Sequence, residues 1–112
     1  MNFSPTRSTR RRAAVGAVAA ALLAGCSGGS GDPLVARGRQ VYLSQCTQCH
    51  NVDPALDGPV GPAVKGASRD VLEAKILRGE SPPGYKPKRT TKVMPPQPTL
   101  APDIPALAAY LK

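Results

Sequence analysis

The chain has 112 residues and a formal net charge of +8, which is the length of a single domain. Four arginines between positions 7 and 12 precede an apolar run over 13–24. That run is too short to span a bilayer as an ordinary helix, and the order of charged head, apolar stretch and small residues is typical of an export signal. Without residues 1–25 the four arginines are gone and the net charge falls from +8 to +4. The charge therefore gives little support to nucleic-acid binding.

The end of this segment, Leu23-Ala24-Gly25-Cys26, resembles the bacterial lipobox, in which the cysteine becomes the lipidated first residue of the mature protein. We predict a signal peptide over 1–25, lipidation of Cys26, and a short lipidated, Gly/Ser-rich linker over 26–32. The expected location is a bacterial membrane, with the protein anchored by lipid and facing the periplasm or the cell exterior. An ordinary signal peptide with a stray cysteine and an uncleaved anchor are the alternatives.

The rest of the chain has helical spacing and no alternating strand pattern, which predicts an all-α fold. Asp32 and Pro33 predict the cap and first residue of a helix that ends near Cys46. A second helix is expected from about Ser68 to Arg78, with Asp70 and Glu73 as a capping box and Gly79 as the stop. A third is expected over about Asp103–Leu111. Residues 51–67 are rich in glycine and proline and predict a loop, and residues 81–102 are too rich in proline for a helix or a strand.

The segment Cys46-Thr47-Gln48-Cys49-His50 has the spacing of c-type haem attachment. Two thiols three positions apart can reach the two vinyl groups of one porphyrin, and the adjacent histidine is then placed as the proximal iron ligand. A redox disulfide usually occurs in a βαβ setting, which is not predicted here, and zinc requires four ligands. His50 is the only histidine, and Cys26 is assigned to the lipid. We therefore predict one covalent haem c, whose apolar surface would supplement a small core.

Met94 is the only methionine outside the signal segment, and it stands in Val93-Met94-Pro95-Pro96. The prolines restrict this loop and so lower the entropy cost of ordering it. We predict that Met94 is the second axial ligand, an arrangement that raises the reduction potential and leaves no open iron position. The alternative is that Met94 fills space in the core.

Taken in this order, the motifs resemble those of class I monohaem cytochromes c, over a predicted domain of residues 33–112. The resemblance implies three main helices wrapped around one haem, with Gly38 and Tyr42 packed against Tyr110. Gly61-Pro62-Ala63-Val64-Lys65-Gly66 is similar to a loop of that family, which implies that the Pro62 carbonyl accepts the ring proton of His50. The chain has no Trp, and residues 81–93 have no clear counterpart in the family. Tyr85 and Arg89 are candidate contacts for the haem propionates, with a plain surface role as the alternative.

The function expected from these features is one-electron transfer, without an enzymatic reaction and without a small-molecule substrate. Redox proteins of a respiratory chain are the expected partners. Four cations cluster just before Met94, namely Lys86, Lys88, Arg89 and Lys92. They would steer acidic partner surfaces toward the haem, or else form a solvated loop or offset the propionates. A haem subunit of a larger oxidoreductase is one alternative function. If Met94 does not bind iron, a peroxide-reactive or gas-binding haem protein is another.

Overall fold

The computed structural model describes residues 31–112, which are helical and contain no strand. The elements are α1 (Pro33–Gln45), α2 (Arg69–Leu72) continued by a π-helix (Glu73–Arg78), a 3₁₀ helix (Pro98–Asp103) and α3 (Ile104–Leu111). No helix in this part of the chain is long and apolar enough to cross a membrane. The all-α prediction is confirmed. The predicted signal peptide, Cys26 and nearly all of the linker lie outside the described residues.

The first helix begins where its capping residues predict. The Asp32 carboxylate accepts a hydrogen bond from the Leu34 N–H at 2.8 Å, and Pro33 occupies the first helical position, where its missing N–H has no helical partner. The helix ends at Cys46, whose N–H donates to the Tyr42 carbonyl at 2.9 Å. Both predicted ends of α1 are confirmed.

The second helix differs from its prediction in its cap and in its geometry. Ser68 is the N-cap, and its hydroxyl accepts from the Val71 N–H at 3.3 Å. The predicted capping box of Asp70 and Glu73 is wrong because Asp70 already lies within the first helical turn, and Glu73 instead pairs with Arg69 at 2.9 Å. From Glu73 onward the turns widen into a π-helix. Gly79 ends it with a φ of 68°, in the left-handed region that glycine adopts without strain, as predicted.

The proline-rich segment is not entirely irregular, which corrects the prediction for 81–102. Pro98–Asp103 forms a 3₁₀ helix that leads directly into α3. Pro98 is tolerated because it occupies the first position, and Pro102 removes only one hydrogen bond from a short 3₁₀ turn. The last helix is therefore entered through an extra turn rather than from a loop.

The core centres on the crossing of α1 and α3. At Gly38 an added Cβ would overlap the Ala106 carbonyl, so the two backbones approach as closely as they do only because glycine stands there. The Tyr42 ring lies 5.6 Å from that of Tyr110, tilted by 49°, a favourable aromatic arrangement. The predicted packing of Gly38 and Tyr42 against Tyr110 is confirmed. The buried hydrophobic cluster consists of Val41, Tyr42, Leu72, Ile76, Ile104, Leu107 and Leu111.

Candidate cofactor site

A cavity of about 440 Å³ lies beside the C-terminal end of α1. Its volume is within the range of roughly 300–1,000 Å³ found for ligand and cofactor pockets. All seven predicted cofactor-site residues line it: Cys46, Cys49, His50, Pro62, Tyr85, Arg89 and Met94. The fold thus brings side chains from four separate stretches of sequence to one cavity.

The cysteines and the histidine reach this cavity through the turn that follows α1. Cys46 closes the helix, and its carbonyl accepts from the N–H groups of Cys49 at 3.2 Å and His50 at 2.9 Å. This tight turn keeps the two thiols and the imidazole together on the cavity wall. The helix end therefore positions the whole attachment motif.

The environment of Cys46 argues against a redox disulfide site. Burial raises the pKa of the Cys46 thiol to about 11, and the residue sits at the C-terminal, negative end of α1, which also disfavours a thiolate. Reactive cysteines of redox motifs instead have lowered pKa values, often at a helix N-terminus. Residues 31–112 also contain no group of three or more His, Cys, Asp or Glu side chains placed to hold a metal. The environment of Cys46 therefore does not suit the reactive thiol of a redox disulfide.

The His50 ring is oriented by its backbone surroundings. Its Nδ1 lies 2.8 Å from the Pro62 carbonyl oxygen. Because that oxygen can only accept, Nδ1 carries the proton and Nε2 keeps the lone pair that can bind a metal. Gly61 is buried against the ring, and a Cβ there would lie 2.6 Å from Nδ1. Glycine at 61 is thus required by close approach, and the predicted contact between Pro62 and His50 is present.

Asp57 connects this loop to the far wall of the cavity. Its carboxylate accepts from the Ala63 N–H at 2.8 Å and pairs with the Arg89 guanidinium at 3.3 Å. Its own carbonyl accepts from the Asn51 side-chain amide at 3.2 Å. The sequence does not predict these contacts, because Asp57-Gly58-Pro59 indicates only a turn.

The far wall is formed by residues 85–97, here called the strap. Between 86 and 96 the strap makes no backbone–backbone hydrogen bond to the described residues, whereas the Gln97 N–H donates to the Ile76 carbonyl at 2.6 Å. The Lys88 ammonium donates to the Ala63 carbonyl at 2.8 Å. Met94 is half-buried, lines the cavity and also packs against the hydrophobic cluster. It is therefore both a cavity residue and, as the alternative held, a contact of the core.

The charged side chains that line the cavity are all cationic: Lys65, Lys75, Lys88 and Arg89. No Asp or Glu among the described residues lines it. Lys75 belongs to no motif found in the sequence, and Lys65 lies in the Gly61–Gly66 loop, where only Pro62 had been given a role at the site. Such a lining suits a ligand that is mainly apolar and carries negative groups, as haem does with its propionates.

The donor set also suits haem, because two thiols, an imidazole nitrogen and a thioether share one cavity. Comparison with protein-family models matches residues 35–112 to the family described as Cytochrome c. No curated protein and no solved structure shows a significant match. Members of the matched family bind haem c covalently and typically carry electrons. The chain therefore belongs to the cytochrome c family, and covalently bound haem c is its cofactor.

Proposed function

We propose that this chain is a class I type, one-electron carrier in which Cys46 and Cys49 hold a single haem c and His50 and Met94 ligate its iron. The observation that carries the proposal is the single cavity lined by all four side chains. When bound, haem c supplies a reversible one-electron change of its iron. The protein supplies ligands, burial and the surrounding charge.

Residues around the cavity orient the histidine and supply contacts for the haem propionates. The hydrogen bond from His50 Nδ1 to the Pro62 carbonyl fixes the tautomer and the orientation of the ring. Arg89 and the half-buried Tyr85 are the proposed propionate contacts, since both line the cavity. Arg89 keeps donors available beyond the one that pairs with Asp57.

Met94 would be the second protein ligand of the iron. A thioether is a weak ligand for ferric iron, so the strap has to present it with little entropy cost. Pro95 and Pro96 follow it directly, and Gln97 is fastened to Ile76. A bound Met94 would also keep water and small molecules off the iron, which is what an electron carrier requires.

The optical spectrum of the ferric protein tests this ligation. Wild type should show the far-red Met–iron band, and Met94→Ala should lose it, become high-spin and have a lower reduction potential, because a thioether stabilises the ferrous form. Val93→Ala, beside Met94 on the strap, is the matched control and should keep the band. An unchanged spectrum in Met94→Ala would show that another residue, such as Lys92, holds the position. A high-spin wild type would favour the peroxide-reactive or gas-binding function.

For the partners, we propose acidic docking surfaces on redox proteins of a respiratory chain. Lys86, Lys88, Arg89 and Lys92 are all exposed on the strap, and charges near weak electron-transfer interfaces mainly raise association rates. Lys86→Glu with Lys92→Glu should slow oxidation by ferricyanide, an anionic probe, more than Arg39→Glu with Lys112→Glu does. The difference should shrink as salt rises. Equal slowing by both pairs would mean that only net charge matters.

For the location, we propose that lipid on Cys26 tethers the exported protein to a bacterial membrane. The basic head, the apolar run and Leu-Ala-Gly-Cys support this. Cys26→Ser should release soluble, haem-loaded protein from washed membranes, because stable anchoring depends on acyl chains that contribute about 0.8 kcal/mol per buried CH₂. A Ser variant that stays with membranes after high-salt washing would indicate an uncleaved anchor or a partner such as a larger oxidoreductase.

A further inference from the structure

We propose that Asp57 is a positioning residue that couples the two walls of the haem cavity, holding the strap so that Met94 stays at the iron. The inference rests on the proposed ligation by Met94. The exposed Asp57 carboxylate would thereby affect ligand exchange at the iron without contacting it.

The contacts of Asp57 reach both walls. One carboxylate oxygen accepts from the Ala63 N–H at 2.8 Å, and Ala63 directly follows the residue whose carbonyl holds His50. The other oxygen is 3.3 Å from Arg89 Nη2, on the strap. Lys88 adds a parallel contact by donating to the Ala63 carbonyl at 2.8 Å. The strap is thus tied to the stretch that carries Pro62, at two adjacent positions.

The strap has few other attachments. Residues 86–96 make no backbone–backbone hydrogen bond to the described residues. Met94 lies between two attachments of the strap, the ion pair of Arg89 on one side and the backbone hydrogen bond of Gln97 on the other. Segments with exposed backbone and few contacts open locally at low cost. Releasing Arg89 therefore lengthens the free part of the strap on one side of Met94.

The size of the effect follows from the exposure of the pair. The side chains of Arg89 and Asp57 are 43% and 66% exposed, and exposed pairs are worth about 0.2–1 kcal/mol. An external ligand can bind only after Met94 leaves, so its apparent affinity includes the opening equilibrium. Loss of the pair should therefore tighten binding of such a ligand by about 1.4- to five-fold.

The test is optical titration of the ferric, haem-loaded protein with imidazole. Asp57→Asn should bind imidazole about 1.4- to five-fold more tightly than wild type, since the amide can still accept from Ala63 but lacks the charge for Arg89. Arg89→Gln should have the same effect, and the double variant should add little to either. Raising the salt concentration should tighten binding to wild type but not to Asp57→Asn.

Two controls separate positioning from other effects. Asp53→Asn, on the same loop, removes a carboxylate that accepts locally from the Ala55 N–H, and it should bind imidazole as wild type does. In a Met94→Ala background, Asp57→Asn should change nothing, because no methionine has to leave. An equal change in that background would show that Asp57 acts through the charge of the cavity, and would overturn the proposal.

The proposal for Asp57 would also be overturned if Asp57→Asn bound imidazole as wild type does while wild type showed the Met–iron band. The proposed ligation by Met94 would then stand. Absence of that band in wild type, with Met94→Ala binding imidazole as wild type does, would instead overturn the ligation and this inference with it. The two failures are therefore distinguishable.

Discussion

The crossing of α1 and α3 and the strap are held in place by different kinds of contact. At the crossing, Gly38 lets two backbones touch, and Tyr42 is 1% exposed beside Tyr110. The strap is largely exposed and relies on a backbone bond at Gln97 and on side-chain contacts of Lys88 and Arg89. Apolar burial fixes the crossing, whereas a few polar contacts hold the strap. The proposed bond from Met94 to the iron would add to those contacts. Substitutions should therefore affect global stability at the crossing and ligand exchange on the strap.

The largest effect is expected from removing the covalent attachment altogether. Cys46→Ala with Cys49→Ala should yield a mostly unfolded apoprotein, because the chain's own core is small and loses the apolar surface of the haem. Far-UV circular dichroism and thermal melting would measure this. Native helicity with cooperative melting in the double variant would show that the crossing suffices for folding without haem.

A single methyl group at the crossing should have the next largest effect. Gly38→Ala places a Cβ into the Ala106 carbonyl, so the helices must separate, at a cost of about 1–3 kcal/mol in the free energy of unfolding. Denaturant unfolding of the haem-loaded protein would measure it. Gly31→Ala, where an added Cβ meets nothing within 4 Å, is the control and should unfold as wild type does.

High pH should weaken the crossing through Tyr42. Burial raises the pKa of Tyr42 to about 12 from its ordinary 10.0, and its hydroxyl donates to the Asn51 carbonyl at 2.6 Å. The folded state thus holds this proton more tightly, so the stabilisation is complete below pH 10 and falls as the pH rises toward 12. Unfolding free energies between pH 9 and 12 would show the decline. In Tyr42→Phe that part of the decline should vanish, and its persistence would assign it to other groups.

The smallest effect on stability is expected on the strap. Pro96→Ala removes the proline ring, which restricts the unfolded chain and lies beside Gly79. The substitution should cost less than about 1 kcal/mol in the free energy of unfolding. The same variant should nevertheless tighten imidazole binding, because it loosens the segment beside Met94. A loss of stability as large as that of Gly38→Ala would mean that the strap belongs to the same cooperative unit as the crossing.

The helix ends differ in how far the sequence predicts them. Asp32, Pro33 and Gly79 act locally, and the structure confirms their positions. The prediction of a capping box at Asp70 and Glu73 is wrong, because the same local pattern fits more than one helix start. The helix in fact begins after Ser68, two residues before Asp70. The sequence analysis missed the 3₁₀ helix over Pro98–Asp103 because a high proline content disfavours long helices. A short 3₁₀ helix tolerates prolines.

Cys46, Cys49 and His50 could be predicted as a cofactor site because the chemistry of two thiols and an imidazole allows few alternatives at that spacing. The sequence alone therefore determined the cofactor class and the helical character, whereas the packing of Tyr42 on Tyr110 was expected from the family resemblance. Only the tertiary structure decided that Asp57 meets Arg89 across 32 positions, that Lys65 and Lys75 line the cavity, and that Gln97 is fastened to Ile76. Such contacts depend on where loops without a periodic pattern come to lie, and that is set by the packing of the helices around them rather than by any local preference.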